Sequence, residues 1–163
     1  MLNAIHEADL LRWFIGAEAR TVYAESAVTI EGNVGVADFL SLTVTFANGA
    51  IGSAEVTNAA PPGYPAFHQM ELYGTEGAIR AKDHELIGLT RFTESGADFP
   101  GTFEMLLHNK TAYVRELAEL VAAIRENRPV CMPPSEARAA LAIALAAQES
   151  ARLHRVIELG AAA

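Results

Sequence analysis

Asn3, His6 and Asp9 are spaced three residues apart near the start of the chain. If this segment is a helix, that spacing brings the three side chains close together on its surface. A histidine beside a carboxylate and an amide can accept a proton from a substrate hydroxyl. We take these residues as the candidate site. The alternative is that His6 and Asp9 are ordinary surface residues, or that His6 is a buried polar group with its hydrogen bonds satisfied.

The rest of the sequence offers little other chemistry. It contains no G-x-G-x-x-G, P-loop, G-x-S-x-G or H-E-x-x-H motif. Tyr64 and His68 flank a proline-rich loop that could be a binding rim, although such loops more often only connect strands. The remaining histidines are scattered along the chain: His84, His108 and His154. A metal site needs at least three converging ligands, so we predict no metal.

The bulk composition narrows the class of protein. The chain has 163 residues, 51% of them apolar, which is enough for one globular domain with its own core. The net charge is −8 and the basic residues do not cluster, which argues against a nucleic-acid partner. Cys131 is the only cysteine, so we expect a reducing, cytoplasmic environment. We see no signal peptide and no apolar run of roughly 18 residues, and therefore expect no membrane association.

The predicted elements are a first helix, then a run of strands, then two helices. Leu10, Trp13 and Phe14 fall at helical spacing with His6 one turn earlier, and Gly16 is a candidate C-cap. A helix with an apolar stripe is predicted around Tyr113 to Ile124, and an alanine-rich last helix is predicted to be capped by Ser135. Between the first helix and these two we predict about six strands: Thr21–Ile30, two within Ala37–Thr57, Gln69–Tyr73, Ala78–Lys82 and Ile87–Phe92. Val156–Leu159 could add a short terminal strand.

The clearest element is a hairpin within Ala37–Thr57. Asn48-Gly49 is a strong signal for a two-residue turn, which would pair Phe46 with Ile51. One face of this hairpin would then carry no charge, with Ser41, Thr43 and Thr45 beside Gly52, Ala54 and Val56. A solvated sheet face normally carries charged residues. We therefore expect this face to pack against a helix of the same chain or against a second subunit.

Strands grouped together and helices grouped together indicate an α+β fold. The simplest architecture is an open, mostly antiparallel sheet of about six strands with helices on one face. The other face would be exposed in a monomer, so we expect a homo-oligomer that associates through the open sheet face.

Several segments resemble the C-terminal domain of the Gfo/Idh/MocA family. Residues 2–16 are similar to its H-x-x-D-L-L-R-W-x-x-G segment, and residues 46–50 to its F-x-N-G-A hairpin. Residues 72–77 resemble the I-x-G-x-x-G turn of the family. The last two helices and the final strand of the family domain are similar to residues 113–128, 136–150 and 156–159 of this chain. The motifs occur in family order over nearly the whole chain.

The resemblance implies a dihydrodipicolinate-reductase-like domain that occupies residues 1–163 and shapes a pocket for a sugar or polyol. It implies that His6 is the catalytic residue that holds or deprotonates the substrate hydroxyl, and that Asn3 and Asp9 face the substrate. The cofactor of the full-length enzyme would be NAD or NADP, bound by an N-terminal Rossmann domain. We see neither that domain nor the catalytic lysine of the family, so we expect this chain alone to bind no cofactor.

Three functions remain open. The first is the substrate-binding and oligomerisation half of an NAD(P)-dependent sugar or polyol dehydrogenase that is not competent alone. The second is a stand-alone, non-catalytic binding or scaffold module derived from that family. Leu2 favours this alternative slightly, because many relatives have an aspartate at that position. The third is a non-redox enzyme that uses His6 with Asp9, which no accompanying nucleophile or metal site supports.

Overall fold

The computed structural model describes residues 4–30, 36–59, 69–82, 89–93, 96–98 and 108–160. The described elements, in chain order, are α1 (Ala4–Ile15), β1 (Ala19–Ala27), β2 (Phe39–Phe46), β3 (Ile51–Thr57), β4 (Gln69–Gly74), β5 (Gly77–Lys82), β6 (Leu89–Thr93), β7 (Gly96–Asp98), α2 (His108–Glu126), α3 (Pro134–Leu153) and β8 (Ile157–Glu158). These elements form two compact units, one of Met1–Pro61 with Cys131–Ala163 and the other of Pro62–Val130.

The α+β class is confirmed, and every strand pairing among the described residues is antiparallel. The strands form two four-stranded sheets, in the orders β3-β2-β1-β8 and β4-β5-β6-β7. The sequence predicted a single open sheet of about six strands. One difference is β7, a three-residue strand that the sequence did not predict.

The first unit has its core between one face of its sheet and two helices. Helices α1 and α3 contact each other, and they also contact β3 and β1 respectively. Strand β2 contributes every second side chain to this core, because alternate side chains of a strand point to the same face. The buried members of β2 are Leu40, Leu42, Val44 and Phe46. The other strand at the centre of the sheet, β1, adds Val22 and Ala24 to the same core.

The turn between β2 and β3 has three residues rather than two. The amide of Phe46 donates to the carbonyl oxygen of Ala50 at 2.9 Å, and Gly49 donates to the carbonyl oxygen of Phe46 at 3.0 Å. Gly49 has a φ of 85°, the left-handed conformation that closes a three-residue hairpin loop. The side chain of Asn48 accepts a hydrogen bond from the amide of Ala50 at 3.1 Å.

The longer turn shifts the pairing by one residue, so the predicted register is wrong. Thr45, rather than Phe46, pairs with Ile51. A shift of one residue moves every side chain to the other face. The outer face therefore combines Thr43 with Ser53, and it includes the exposed carboxylate of Glu55. The prediction that this face carries no charge is wrong as well.

Helix α3 lies against β1 because its inner face is made of small residues. Its buried residues are Ala140, Ile143, Ala146, Ala147, Ser150 and Ala151. The residue at the N-cap is Pro133, with no side-chain capping bond, so the predicted cap at Ser135 is wrong. Ser135 is exposed in the first turn of the helix. At the other end the chain leaves the helix through His154, which has a left-handed φ of 51°.

The second unit contains the sheet β4-β5-β6-β7 and helix α2. On β4, Glu71 accepts a hydrogen bond from the hydroxyl of Tyr73 at 2.6 Å and another from Nε of Arg80 at 2.7 Å. The bond from Tyr73, followed by the charge of Arg80, lowers the pKa of Glu71. Helix α2 occurs where the sequence predicted it. Its predicted apolar stripe is exposed in this chain: Tyr113, Leu117, Leu120, Val121 and Ile124.

Candidate functional site

Helix α1 positions the candidate residues. Its inner face carries the two smallest buried side chains of the helix, Ala4 and Ala8, which are at most 1% exposed. Small residues allow a helix axis to approach its neighbours closely. Strand β3 has a glycine at the corresponding contact, where a Cβ on Gly52 would lie 2.8 Å from a methyl of Leu11. This close packing sets the rotation of α1 about its axis.

With Ala4 and Ala8 turned inward, His6 lies on the outer side of α1 and is exposed, whereas Asp9 is half-buried. A spacing of three places the two residues next to each other on the helix surface. Within the described part of the chain, His6 and Asp9 form no hydrogen bond or ion pair with each other. Asn3, the third candidate, lies outside the described residues. The helix thus brings His6 and Asp9 together and leaves the role of all three residues as a prediction.

Arg12 anchors the helix two turns after His6, and the sequence analysis assigned it no role. Its guanidinium donates to Glu18 at 2.6 Å and to Glu136 at 2.7 Å. Burial alone would lower the pKa of Arg12, but the hydrogen bonds and charges of the two glutamates outweigh it and raise that pKa. Arg12 therefore remains charged and ties α1 to the segment before β1 and to the first turn of α3.

Asp38 is a second residue that the sequence analysis missed. It is 5% exposed, and its carboxylate accepts hydrogen bonds from the amide and hydroxyl of Thr29 and from the amide of Ile30, at 2.7 to 2.8 Å. These bonds hold the segment after β1 against the start of β2. Asp38 and Asn58 also line a shallow depression that includes Ala4. The start of α1 therefore lies beside the start of β2 and the end of β3.

This arrangement can exchange a proton but gives no sign of binding a metal. Within the described part of the chain, no three histidine, cysteine or acidic residues converge on a common point. None of the described helices is long and apolar enough to cross a membrane. An exposed imidazole next to a carboxylate can accept a proton from a hydroxyl that lies over the outer face of α1.

Comparison with known proteins finds a family model that matches residues 1–80. These residues match the family model of the GFO/IDH/MocA C-terminal domain. Inositol 2-dehydrogenase of Rhizobium meliloti (strain 1021) is 28% identical over 157 residues, covering 95% of this chain and 48% of that protein. Myo-inositol 2-dehydrogenase of Thermotoga maritima is 24% identical over 159 residues, covering 95% of this chain and 47% of that protein.

A solved structure shows the same fold. An oxidoreductase of Agrobacterium radiobacter, crystallised with NAD+, L-tartaric acid and magnesium, superposes with a TM-score of 0.79 at 17% identity. The match covers 94% of this chain and 47% of that one. The chain thus spans slightly less than half the length of the curated relatives it matches.

Proposed function

Since residues 1–80 match the C-terminal domain of the GFO/IDH/MocA family, we propose that this chain is the substrate-binding and oligomerisation half of an NAD(P)-dependent sugar or polyol dehydrogenase. The observation that carries the proposal is the placement of His6. It lies exposed on the outer face of α1, beside Asp9, within the residues that match the family. The two inositol dehydrogenases among the relatives support a polyhydroxylated substrate.

In this proposal His6 accepts the proton of a secondary hydroxyl while the carbon that bears the hydroxyl loses a hydride. The substrate would become a carbonyl compound and His6 would become protonated. NAD or NADP, bound outside residues 1–163, would supply the hydride acceptor. Asp9 stabilises the imidazolium that forms, because a neighbouring carboxylate favours the charged form of histidine. Asn3 would contribute a hydrogen bond to a neighbouring substrate hydroxyl.

The sequence has no glycine-rich dinucleotide motif. We therefore propose that NAD or NADP is bound outside residues 1–163, by a Rossmann domain, and that residues 1–163 act as one C-terminal domain. We also propose that the protein acts in the cytoplasm and binds neither a metal nor a nucleic acid.

We propose further that two copies of the chain associate through the outer face of the first sheet. The observed register places Glu55 on this face, so a lack of charge does not support association. Association is supported by Ile51, which is 70% exposed beside the short side chains of Thr43 and Ser53. A large apolar side chain exposed among short ones is suited to burial against a second copy.

The alternative remains a non-catalytic binding or scaffold module, which Leu2 favours in place of the aspartate of many relatives. The first test is the mass of the native gene product, by immunoblot against this domain. The calculated mass of this chain is 17.4 kDa. A product about twice as heavy would support a two-domain dehydrogenase, and a product of equal mass would favour the alternative or a separate nucleotide-binding partner.

The second test is catalysis by that native product. NAD+- or NADP+-dependent oxidation of myo-inositol and of other polyols is measured for the wild type, for His6→Gln and for the matched control His154→Gln. Loss of a general base should lower kcat by about 10²- to 10⁴-fold, whereas the exposed His154 at the end of α3 should be replaceable. Equal activity of His6→Gln and wild type would refute the role of His6.

A further inference from the structure

The outer face of the first sheet carries an acidic row that runs across three strands. The strand register places Glu25 of β1 opposite Ser41 of β2, and Ser41 opposite Glu55 of β3. One row across the face therefore has a carboxylate on each side of a hydroxyl. Adjacent strands lie about 4.8 Å apart, which separates the backbones of the two glutamates by about 10 Å.

The rest of this face is rich in hydroxyl groups. The row beside the two glutamates consists of Tyr23, Thr43 and Ser53. In the next row, the hydroxyls of Thr21 and Thr45 form a hydrogen bond of 2.5 Å. A hydroxyl group both donates and accepts hydrogen bonds. A surface of hydroxyls can therefore form hydrogen bonds with a second copy of itself.

The carboxylates of this face outnumber the cations near them. Glu158 of β8 pairs with Thr21 and adds a third exposed carboxylate to those of the row. The four strands of this sheet are all described, and their one basic side chain is Arg20, at the irregular pairing near the start of β1. At the end of α3, Nδ1 of His154 lies 3.0 Å from the carboxylate of Glu25. The face is therefore negatively charged.

We infer that Glu25, Glu55 and Glu158 limit the association of two copies through this face, so that the association strengthens when salt or substitution removes their repulsion. The inference rests on the association proposed above. Packed sheets lie about 10 Å apart, and two like charges at that distance in water lower an association constant by about a factor of two. The hydroxyls and Ile51 favour pairing and the carboxylates oppose it, so ionic strength controls the balance.

The experiment measures the dimer dissociation constant of this chain by analytical ultracentrifugation at two ionic strengths. Between about 0.01 M and about 0.1 M salt the Debye length falls from about 30 to about 10 Å. We expect the Kd of the wild type to fall by about fivefold over this range, because several carboxylate pairs between the copies are then screened. Ion pairs between the copies would give the opposite sign, since salt weakens attraction between charges.

Two pairs of variants separate the row from general effects. Glu55→Gln should lower the Kd by about fivefold at the lower salt concentration and should reduce the dependence of the Kd on salt. Glu149→Gln removes the same charge from an exposed position of α3, which packs on the other face of the sheet, and should leave the Kd within about twofold of the wild type. Ile51→Ser should weaken the association, whereas Leu145→Ser, at an exposed position of α3, should not.

The outcomes distinguish the inference from the proposed association. Weaker association at higher salt, or in Glu55→Gln, would overturn the inference and leave the association standing, because the carboxylates would then bind cations of the second copy. Equal Kd values for Glu55→Gln and Glu149→Gln would also overturn it, since only the net charge of the chain would matter. Unchanged association of Ile51→Ser would show that the copies pair through another surface, and the absence of association in every variant at both ionic strengths would overturn both proposals.

Discussion

Replacing Ser150 by alanine should destabilise the first unit by removing one hydroxyl that serves two backbone groups. Ser150 on α3 is fully buried. Its hydroxyl accepts a hydrogen bond from the amide of Ala24 at 2.9 Å and donates one to the carbonyl oxygen of Arg155 at 2.6 Å. Strand β8 pairs with β1 only at Thr21 and Val22, so it ends before Ala24. The hydroxyl therefore takes the place of a missing strand partner.

The magnitude follows from what the variant leaves behind. A buried amide without a partner costs about 1 to 3 kcal/mol. The carbonyl of Arg155 belongs to an exposed residue, so water can replace part of that bond. Alanine is a better helix former than serine by about 0.5 kcal/mol, which offsets a part of the loss. We expect Ser150→Ala to lower the free energy of unfolding by about 1 to 2.5 kcal/mol.

The assay combines denaturant unfolding with amide exchange. Ser135→Ala is the matched control, since Ser135 is exposed in the first turn of the same helix, and it should change the free energy of unfolding by less than about 0.5 kcal/mol. Ser150→Ala should also accelerate hydrogen exchange at the Ala24 amide by roughly five- to seventyfold, because 1.4 kcal/mol corresponds to a factor of ten. Equal stability of the two variants, with unchanged exchange at Ala24, would refute this account of Ser150.

Three further predictions concern the elements around the candidate site. Arg12→Met should lower the free energy of unfolding by about 2 kcal/mol, and Arg12→Lys should recover only part of this loss, because a lysine cannot bind two carboxylates in the fixed fork geometry of arginine. Full recovery of stability by the lysine variant in urea unfolding would contradict this prediction. Gly52→Val should cost about 1 to 3 kcal/mol by overpacking against Leu11, and the double variant Gly52→Val with Leu11→Ala should show a favourable coupling energy in a double-mutant cycle; simple additivity would argue against the contact. The hydrogen bond from Tyr23, followed by the contact with His154, lowers the pKa of Glu25. The ionised carboxylate of Glu25 therefore stabilises the fold above the unfolded-state pKa of about 4.3, and this stabilisation is lost as pH falls through the lower folded-state pKa. In an NMR titration Tyr23→Phe should raise the pKa of Glu25, and an unchanged value would show that the hydroxyl has no such effect.

The sequence predicted the type of most elements because their periodicity is local. The alternation of β2 and the helical spacing in α1 each depend on residues within a few positions of one another. The prediction of the hairpin register was wrong, and the reason is also local. Asn48-Gly49 fits a two-residue turn, but it also fits a three-residue loop in which only Gly49 needs a positive φ. The two loops differ by one residue, and that residue decides which face carries Glu55.

The contacts that hold the candidate site could not be read from the sequence. Arg12 bonds to Glu136, which is 124 positions later in the chain. Ser150 completes the hydrogen bonding of a strand that lies 126 positions earlier. Neither pair follows a periodic pattern, so only the folded chain reveals them. By contrast, the adjacency of His6 and Asp9 follows directly from a spacing of three within one helix.

These contacts matter for chemistry because they determine where His6 lies. The inner face of α1 carries two alanines that allow a close approach to its neighbours, and Arg12 fixes the helix against two other segments through ion pairs of 2.6 and 2.7 Å. A displacement of about 1 Å in a reacting group can cost a factor of about 100 in rate. In the proposed two-domain dehydrogenase, Arg12→Met should therefore lower kcat for polyol oxidation even though Arg12 faces away from the proposed substrate surface. Its effect on kcat should persist under conditions where the protein remains fully folded, which separates misplacement of His6 from a loss of stability.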